Sequence, residues 1–577
     1  MKLIDKIKSY TLSQYVLRLL AGFMVPVLLT FMVSSGKITE KSFYEHLIFP
    51  VFVLAVAAFF VLFFFVKKDK AVYVVLLVSG MGYCCLTAMT MRDYMFSFGM
   101  CAVMFLLLYF FEIPFSGALI SKKTMWIFCG AFIFFFTVFV GGVCCVYQRT
   151  YRTPCFDFGL FSQMFYYMKE TGKCLITCER DKLLNHFAVH FSPVFYLLLP
   201  VYFLFPSPYT LLVAQALIVG SAVVPLVLLC KHFDLSNAAA VLFSGCLVLY
   251  TAFLGGCFYY LHENCFLTPF VLWLMYFLEK GKKVPSAAFA LLTLSVKEDA
   301  AVYVAVIAFY YLLTSKKSRY LSAGILAFSV VYFVAVVKLM TAFGEGVMAD
   351  SRFGVYIYDG GGLFSVIKSV LQNPANVIAH MFQKDKILYL MQITVGLFFL
   401  PFAIKKPAKL LLFVPLILVN LMPEYSYQHD IGTQYTFGSG ALLFYLAVSN
   451  YSELGKNRSK ILLAAVLSSL ILFSGDYFKK VSNCFQTEEE KHMTQVIDEA
   501  LSLIPEDASV CASAFLVPSL SHRHELYEVG RTERLADYIA GDLRYEREFD
   551  MDYYVGEGYE VIYFEEGIVA VLKSPAA

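Results

Sequence analysis

The chain reads as a succession of long apolar stretches separated by short polar ones. Runs centred on 15–33, 46–66, 71–91, 94–113, 124–147, 209–231, 237–256, 265–279, 284–296, 300–314, 319–341, 385–403, 407–422, 436–450 and 459–476 approach the roughly twenty residues a helix needs to cross a bilayer. The pattern predicts an all-α polytopic membrane protein of about 13–15 transmembrane helices. The stretch 193–206 is too short, with its two prolines, to be expected to cross, and fits an interfacial or re-entrant piece. The first run follows Lys2, Lys6, Lys8 and Arg18 and has no small-residue cleavage site, so it predicts a retained first helix. After Phe478 the pattern changes. An amphipathic stretch, then ASVCA, ADYIAG and 559–573 with a turn at Glu565-Glu566-Gly567, predict a small C-terminal α/β domain. The expected division is 1–113 for the N-terminal helices, 114–478 for a core with its large loop at 148–208, and 479–577 for the C-terminal domain.

Charge placement orients these spans. Lys67-Lys68-Asp69-Lys70, Lys122-Lys123, Lys231, Lys280 to Lys283, Lys316-Lys317 with Arg319, Lys405-Lys406 with Lys409, and Lys456 with Arg458 and Lys460 fall in alternate connections. Basic connections stay on the cytoplasmic side, which predicts a cytoplasmic N-terminus and an extracytoplasmic C-terminal domain in the cell membrane. The outer connections are then 148–208, 257–264, 297–299, 342–384, 423–435 and everything after 476.

Composition agrees: 59% of the 577 residues are hydrophobic and 15% charged. A net charge of +3 offers nucleic acid no electrostatic footing. There is no Walker A loop and no GxGxxG after a strand, which argues against an ATP-driven pump or a nucleotide-sugar enzyme. Most of the fifteen cysteines sit in apolar runs as small hydrophobes. Cys155, Cys174 and Cys178 share the large outer loop, where a disulfide is open to them. Zinc held by Cys174 and Cys178 with His186 and His190 is the weaker alternative, because no closed four-ligand pattern surrounds them.

The outer connections hold the candidate chemistry. Asp157 lies among Phe156, Phe158 and Phe161, a setting that raises a carboxyl pKa and suits a base; the plainer alternative is a helix N-cap. His186 and His190, four apart, would share a helix face as a metal pair, as two phosphate donors, or as solvated interfacial histidines. His262 and Glu263 sit in a polar knot between two spans. Lys297, Glu298 and Asp299 interrupt an apolar stretch, where each charge costs about 2.5–3.5 kcal/mol at a helix centre and persists if paired or facing an aqueous cavity. His429, Asp430 and Tyr435 stand on the same side.

Four motifs carry a resemblance: Phe-Asp-Phe-Gly-Leu-Phe-Ser-Gln at 156–163, His-Phe-Ser-Pro at 190–193, His-Glu-Asn at 262–264 and Lys-Glu-Asp at 297–299. Over roughly 124–577 the chain resembles a prokaryotic family of predicted membrane proteins of unknown function, grouped by fold with the GT-C glycosyltransferases and similar to their protein-mannosyltransferase-like members. The resemblance implies a GT-C-like helical bundle. It also implies transfer of a sugar, with inversion, from a polyprenyl-phosphate-linked donor to an acceptor at the extracytoplasmic face. On this resemblance Asp157 is the general base, and Gln163, His186, His190, His262, Glu263, Lys297, Glu298, Asp299, His429 and Tyr435 are substrate-binding residues. Some GT-C branches use a divalent metal, Mg or Mn, and others none; the short Asp-Phe motif here supplies no acidic pair, so no metal ligand is assigned. The C-terminal domain is expected to cap the outer site or grip the acceptor. The alternatives are a transporter or flippase, for which repeated halves would be expected, and a non-enzymatic receptor.

Overall fold

The computed structural model describes residues 10–33, 49–110, 120–180, 182–344, 349–358, 360–455, 458–531, 534–545 and 549–577. Lys2, Lys6, Lys8, Lys456 and the boundary expected at 113–114 lie outside them. Among the described residues seven helices are long and apolar enough to cross a membrane, and shorter apolar helices accompany them. The protein is a polytopic helical membrane protein with a small C-terminal sheet.

Four helices open the chain: α1 (Leu12–Val33), α2 (Phe49–Phe65), α3 (Asp69–Met91) and α4 (Tyr94–Phe110). Arg18, read from the sequence as part of a basic flank, is instead fully buried in α1. Its guanidinium reaches Asp69 at 2.6 Å and donates to the Phe63 and Val66 carbonyls, tying α1 to the turn between α2 and α3. Met81, Cys84, Phe98 and Cys101 of α3 and α4 pack with Ile471 and Leu472 of a late span, which seats the N-terminal helices on the core.

The core begins with α5 (Lys122–Arg149). The expected 209–231 span is two helices in line, α6 (Pro208–Ser221) and α7 (Val223–His232). Pro225 explains the break: it has no N–H for the Ser221 carbonyl, and its ring crowds that carbonyl. The next apolar run is likewise divided, into α8 (Asn237–Val248) and α9 (Thr251–Phe258). At Gly255 of α9 an added Cβ would stand 2.1 Å from the Ile431 carbonyl, so glycine lets the 423–435 connection lie against this helix. Then come α10 (Leu267–Lys280), α11 (Lys283–Leu294), α12 (Ala300–Thr314), α13 (Arg319–Phe343), α14 (Gly362–Gln372) and α15 (Lys384–Val395). The expected 407–422 helix departs from α geometry, tightening to 3-10 over Pro407–Phe413 and widening to π over Leu416–Leu421. The π turn brings in Asn420, which donates to the Gln428 and Tyr435 carbonyls and accepts from Ser439. The bundle closes with α16 (Thr436–Glu453) and α17 (Arg458–Ser482). The 193–206 stretch forms short turns at Pro193–Leu197 and Leu199–Leu204, neither long enough to cross.

In the large loop after α5, β1 (Leu175–Ile176) pairs antiparallel with β2 (Leu184–Asn185). The C-terminal region opens on α18 (Glu488–Ser502), started by a capping box between Thr487 and Glu490. Strands β3 (Val510–Ala512), β4 (Leu526–Glu528), β5 (Tyr538–Asp542), β6 (Glu560–Glu565) and β7 (Val569–Lys573) form one sheet in the order β4-β3-β5-β7-β6. β3 runs parallel to β4 and β5, while β7 is antiparallel to β5 and β6. The β6–β7 hairpin turns where the sequence predicts, with Gly567 at φ +70°. This region sits on the large loop: Arg149 and Tyr151 hold Asp498, Arg152 pairs with Glu490, and Arg544 donates to the Tyr151 carbonyl at 2.7 Å.

Candidate functional site

Asp157 stands in a π turn, Cys155–Gly159, that leads into a helix over Leu160–Thr171. Gly159 precedes that helix and no side chain caps it, so Asp157 is not an N-cap. A Cβ at Gly159 would stand 3.1 Å from Val517, so the turn lies directly under the C-terminal region. About 30% of the Asp157 side chain remains exposed, although it lies deep among other groups, and its Oδ2 is 3.9 Å from His262 Nε2. Burial, with Glu263 close by and Lys297 partly offsetting, raises its pKa to about 6.

The knot at 259–264 and the connection at 297–299 meet beneath it. Two groups stand close to Glu263, with Lys297 Nζ 2.9 Å from Oε1 and His262 Nδ1 3.0 Å from Oε2. Burial alone would raise the Glu263 pKa, but the Lys297 ammonium beside it holds it below the ordinary carboxylate value. Burial opposes charge on Lys297 too, and Glu263 more than restores it, to above the ordinary lysine value. At His262 the pull of Glu263 is outweighed. Burial, with Lys297 and two further histidines nearby, pulls it down to about 3 and keeps it neutral. The Lys297 ammonium also lies 5.9 Å from the Tyr435 ring centroid.

The loop histidines join the same cluster, each through a carboxylate. His190 Nδ1 is 2.9 Å from Glu298 Oε1, and Glu298 Oε2 accepts the Phe191 N–H. His186 Nδ1 is 3.1 Å from Glu179 Oε2. The Phe161 ring meets both His186 and His262 edge-on, with centroids 5.3 and 5.6 Å away. Glu298 and Asp299 also border a largely apolar cavity of about 440 Å³, walled by Phe333, Val366, Val370, Leu418 and Met422. That volume is within the usual range of small-molecule sites, about 300–1,000 Å³. Burial raises the Asp299 pKa to about 6 against the pull of Lys297.

With these connections placed, comparison with known proteins is informative. A family of predicted membrane proteins, DUF2079, matches residues 151–549. The chain belongs to that family. No curated protein matches it. The DUF2079 segment contains every residue of the cluster, whereas α1 to α5 lie before it.

Of the residues singled out in the sequence, this DUF2079 chain brings Asp157, His186, His190, His262, Glu263, Lys297, Glu298, Asp299 and Tyr435 together. Gln163 faces elsewhere. Its amide donates to Thr177 Oγ1 at 2.8 Å and to the Arg523 and His524 carbonyls, while its oxygen accepts the Thr177 N–H. Thr177 in turn donates to the Leu526 carbonyl at 2.7 Å and accepts the Leu526 N–H. Gln163 therefore fastens the loop to β4. His429 pairs with Asp385 at 2.8 Å, on the α15 side of the 423–435 connection. Cys155, Cys174 and Cys178 are buried free thiols. Among the described residues no three His, Cys, Asp or Glu side chains gather to hold a metal ion, so the donors present do not fit one and no step below runs through it.

The sequence reading missed Glu179 and Arg352, and took Tyr259 only as part of the polar knot at 259–264. Tyr259 stacks its ring edge toward Tyr427 at 6.2 Å, and Arg352 lies 3.5 Å over the Tyr425 ring. Glu179 carries no spacing signal, being one acid in a polar loop; its value comes only from the hairpin that returns the chain to His186.

Proposed function

We propose that this protein transfers a sugar from a polyprenyl-phosphate-linked donor to an acceptor hydroxyl at the extracytoplasmic face, as the GT-C resemblance implies. The observation that carries this reading is Asp157: a carboxylate about 30% exposed, with a pKa near 6, within electrostatic reach of the buried Lys297, whose neighbours Glu298 and Asp299 border an apolar cavity. The cavity would take the isoprenoid chain next to its phosphate. Lys297 with His186 and His190 would face the phosphate oxygens, and Tyr435 with the neighbouring tyrosines would face the sugar.

In the reaction the acceptor oxygen attacks the anomeric carbon from the side opposite the phosphate. Its proton passes to Asp157, the carbon–oxygen bond to phosphate breaks, and the carrier phosphate leaves with the bonding electron pair. One base suffices for this inverting displacement. Cationic groups held in place would stabilise the charge that develops on the phosphate. The test is Asp157→Asn in liposomes supplied with polyprenyl-phosphate-linked sugars. Transfer should fall to background while the protein remains folded and the carrier lipid still binds. Unchanged transfer would remove Asp157 from the role of base.

A further inference from the structure

Glu179 and His186 stand near opposite ends of the β1–β2 hairpin, which folds back to join their side chains. Both are almost wholly buried, with 7% and 3% of their side-chain surfaces exposed. A carboxylate at 3.1 Å from Nδ1 requires a proton on that nitrogen. The other ring nitrogen, Nε2, is buried and has no hydrogen-bond partner. A buried polar group left without a partner costs about 1–3 kcal/mol, a penalty relieved if a ligand completes the site. The neighbouring donors are already engaged: Lys297 with Glu263, and His190 through Nδ1 with Glu298.

We propose that Glu179 is a positioning residue that holds His186 as an imidazolium, leaving its Nε2–H to bind an anionic oxygen of the substrate. That the anion is a phosphate rests on the transfer reading above; the pairing itself does not. The titratable groups within reach of His186 are Glu179 and His190 on its own loop, His262 and Glu263 from the 259–264 knot and Lys297 from the 297–299 connection. Burial works against the imidazolium, Glu179 and Glu263 outweigh it, and Lys297 opposes them, so the balance stays above the ordinary histidine value. A pKa raised in this way keeps the donor charged as pH rises past about 6.5. Phe161 and Phe195 pack against the ring and keep competing water away from it.

The experiment measures binding of farnesyl phosphate to the purified full chain in detergent micelles between pH 5.5 and 8, with farnesol as the phosphate-free control. Comparison with the wild-type chain at each pH cancels the titration of the ligand. Glu179→Gln should bind much closer to wild type at pH 5.5 than at pH 8, where it should be about tenfold or more weaker, because burial is then no longer offset by Glu179 and the imidazole gives up its proton more easily. His186→Gln should be weak at both ends, and adding Glu179→Gln to it should change nothing further. Glu179→Asp, which keeps the charge, should restore binding at pH 8 and serves in place of Glu179→Gln if that variant does not fold. Wild-type affinity in Glu179→Gln at pH 8, an equal loss at both ends, or no restoration by Glu179→Asp would overturn the proposal. So would failure of the wild-type chain to prefer farnesyl phosphate over farnesol. A chain that keeps this pH signature yet transfers no sugar would overturn only the transfer reading.

Discussion

Lys297 Nζ lies 2.9 Å from Glu263 Oε1, with 4% and 0% of the two side chains exposed, so each is the other's main compensation for leaving water. Removing one partner of such a pair strands the other, at about 3–5 kcal/mol. Lys297→Met should therefore lower the thermal midpoint of the detergent-solubilised protein sharply. The double variant Glu263→Gln with Lys297→Met should recover most of that stability without recovering transfer. Melting curves for the single and double variants check the stability half, and a transfer assay checks the other.

Asp157 sets a pH requirement. A base must be unprotonated, so transfer should rise with pH through about 6 and be lost below it. Asp157→Asn should be slower by about 10²–10⁴-fold and should lose that limb of the profile. The effect on stability has the opposite sign to that of a salt-bridged carboxylate. Because the folded chain holds this proton more tightly than the unfolded chain, the contribution is fully present below pH 3.8 and is lost as pH rises through about 6. A pH series of transfer rates and melting points, wild type against Asp157→Asn, reads both.

Gln163 and Thr177 fasten the loop to β4 through fully buried groups. Gln163→Leu leaves the Thr177 amide and the His524 carbonyl without this partner, at about 1–3 kcal/mol. Hydrogen exchange in residues 175–179 should quicken in that variant, while the spans keep wild-type protection. Unchanged exchange there would mean that the loop is held by other contacts.

Arg149 grips Asp498 with two hydrogen bonds, and Tyr151 donates to the same carboxylate at 2.6 Å. The ion pair is partly exposed, which limits it to about 0.2–1 kcal/mol. Asp498→Ala should barely move the melting point, yet raise protease cutting in the first turn of α18. Digestion with trypsin, which can cut at Lys491, compared across salt concentrations, checks this.

The sequence made the membrane architecture legible because the apolar runs are long and the charges between them few. Pro225 even marks where one run breaks into α6 and α7. The 407–422 run was legible as apolar but not in its winding, since hydropathy does not distinguish an α turn from a tight or a wide one. In the site, His262-Glu263 and Lys297-Glu298-Asp299 stood out as polar groups interrupting apolar sequence. Glu179 did not, because an acid in a polar loop has no contrast with its neighbours. Gln163 was noticed as part of a motif and its partner was missed, because the carbonyls it meets lie about 360 residues later in the chain. The three-residue strand β4 escaped for lack of any alternation, and it is the strand that holds the loop.

Thr177 meets Leu526 across 349 residues of sequence. During synthesis the loop bearing the histidines must wait until the bundle has been inserted and the last strands have been made. Contacts so distant in sequence are among the last to form. A nascent chain can thus occupy the membrane, complete in its helices, while the loop bearing the histidines still lacks its anchor. The C-terminal sheet is thus the last part needed to fix the loop that bears His186 and His190.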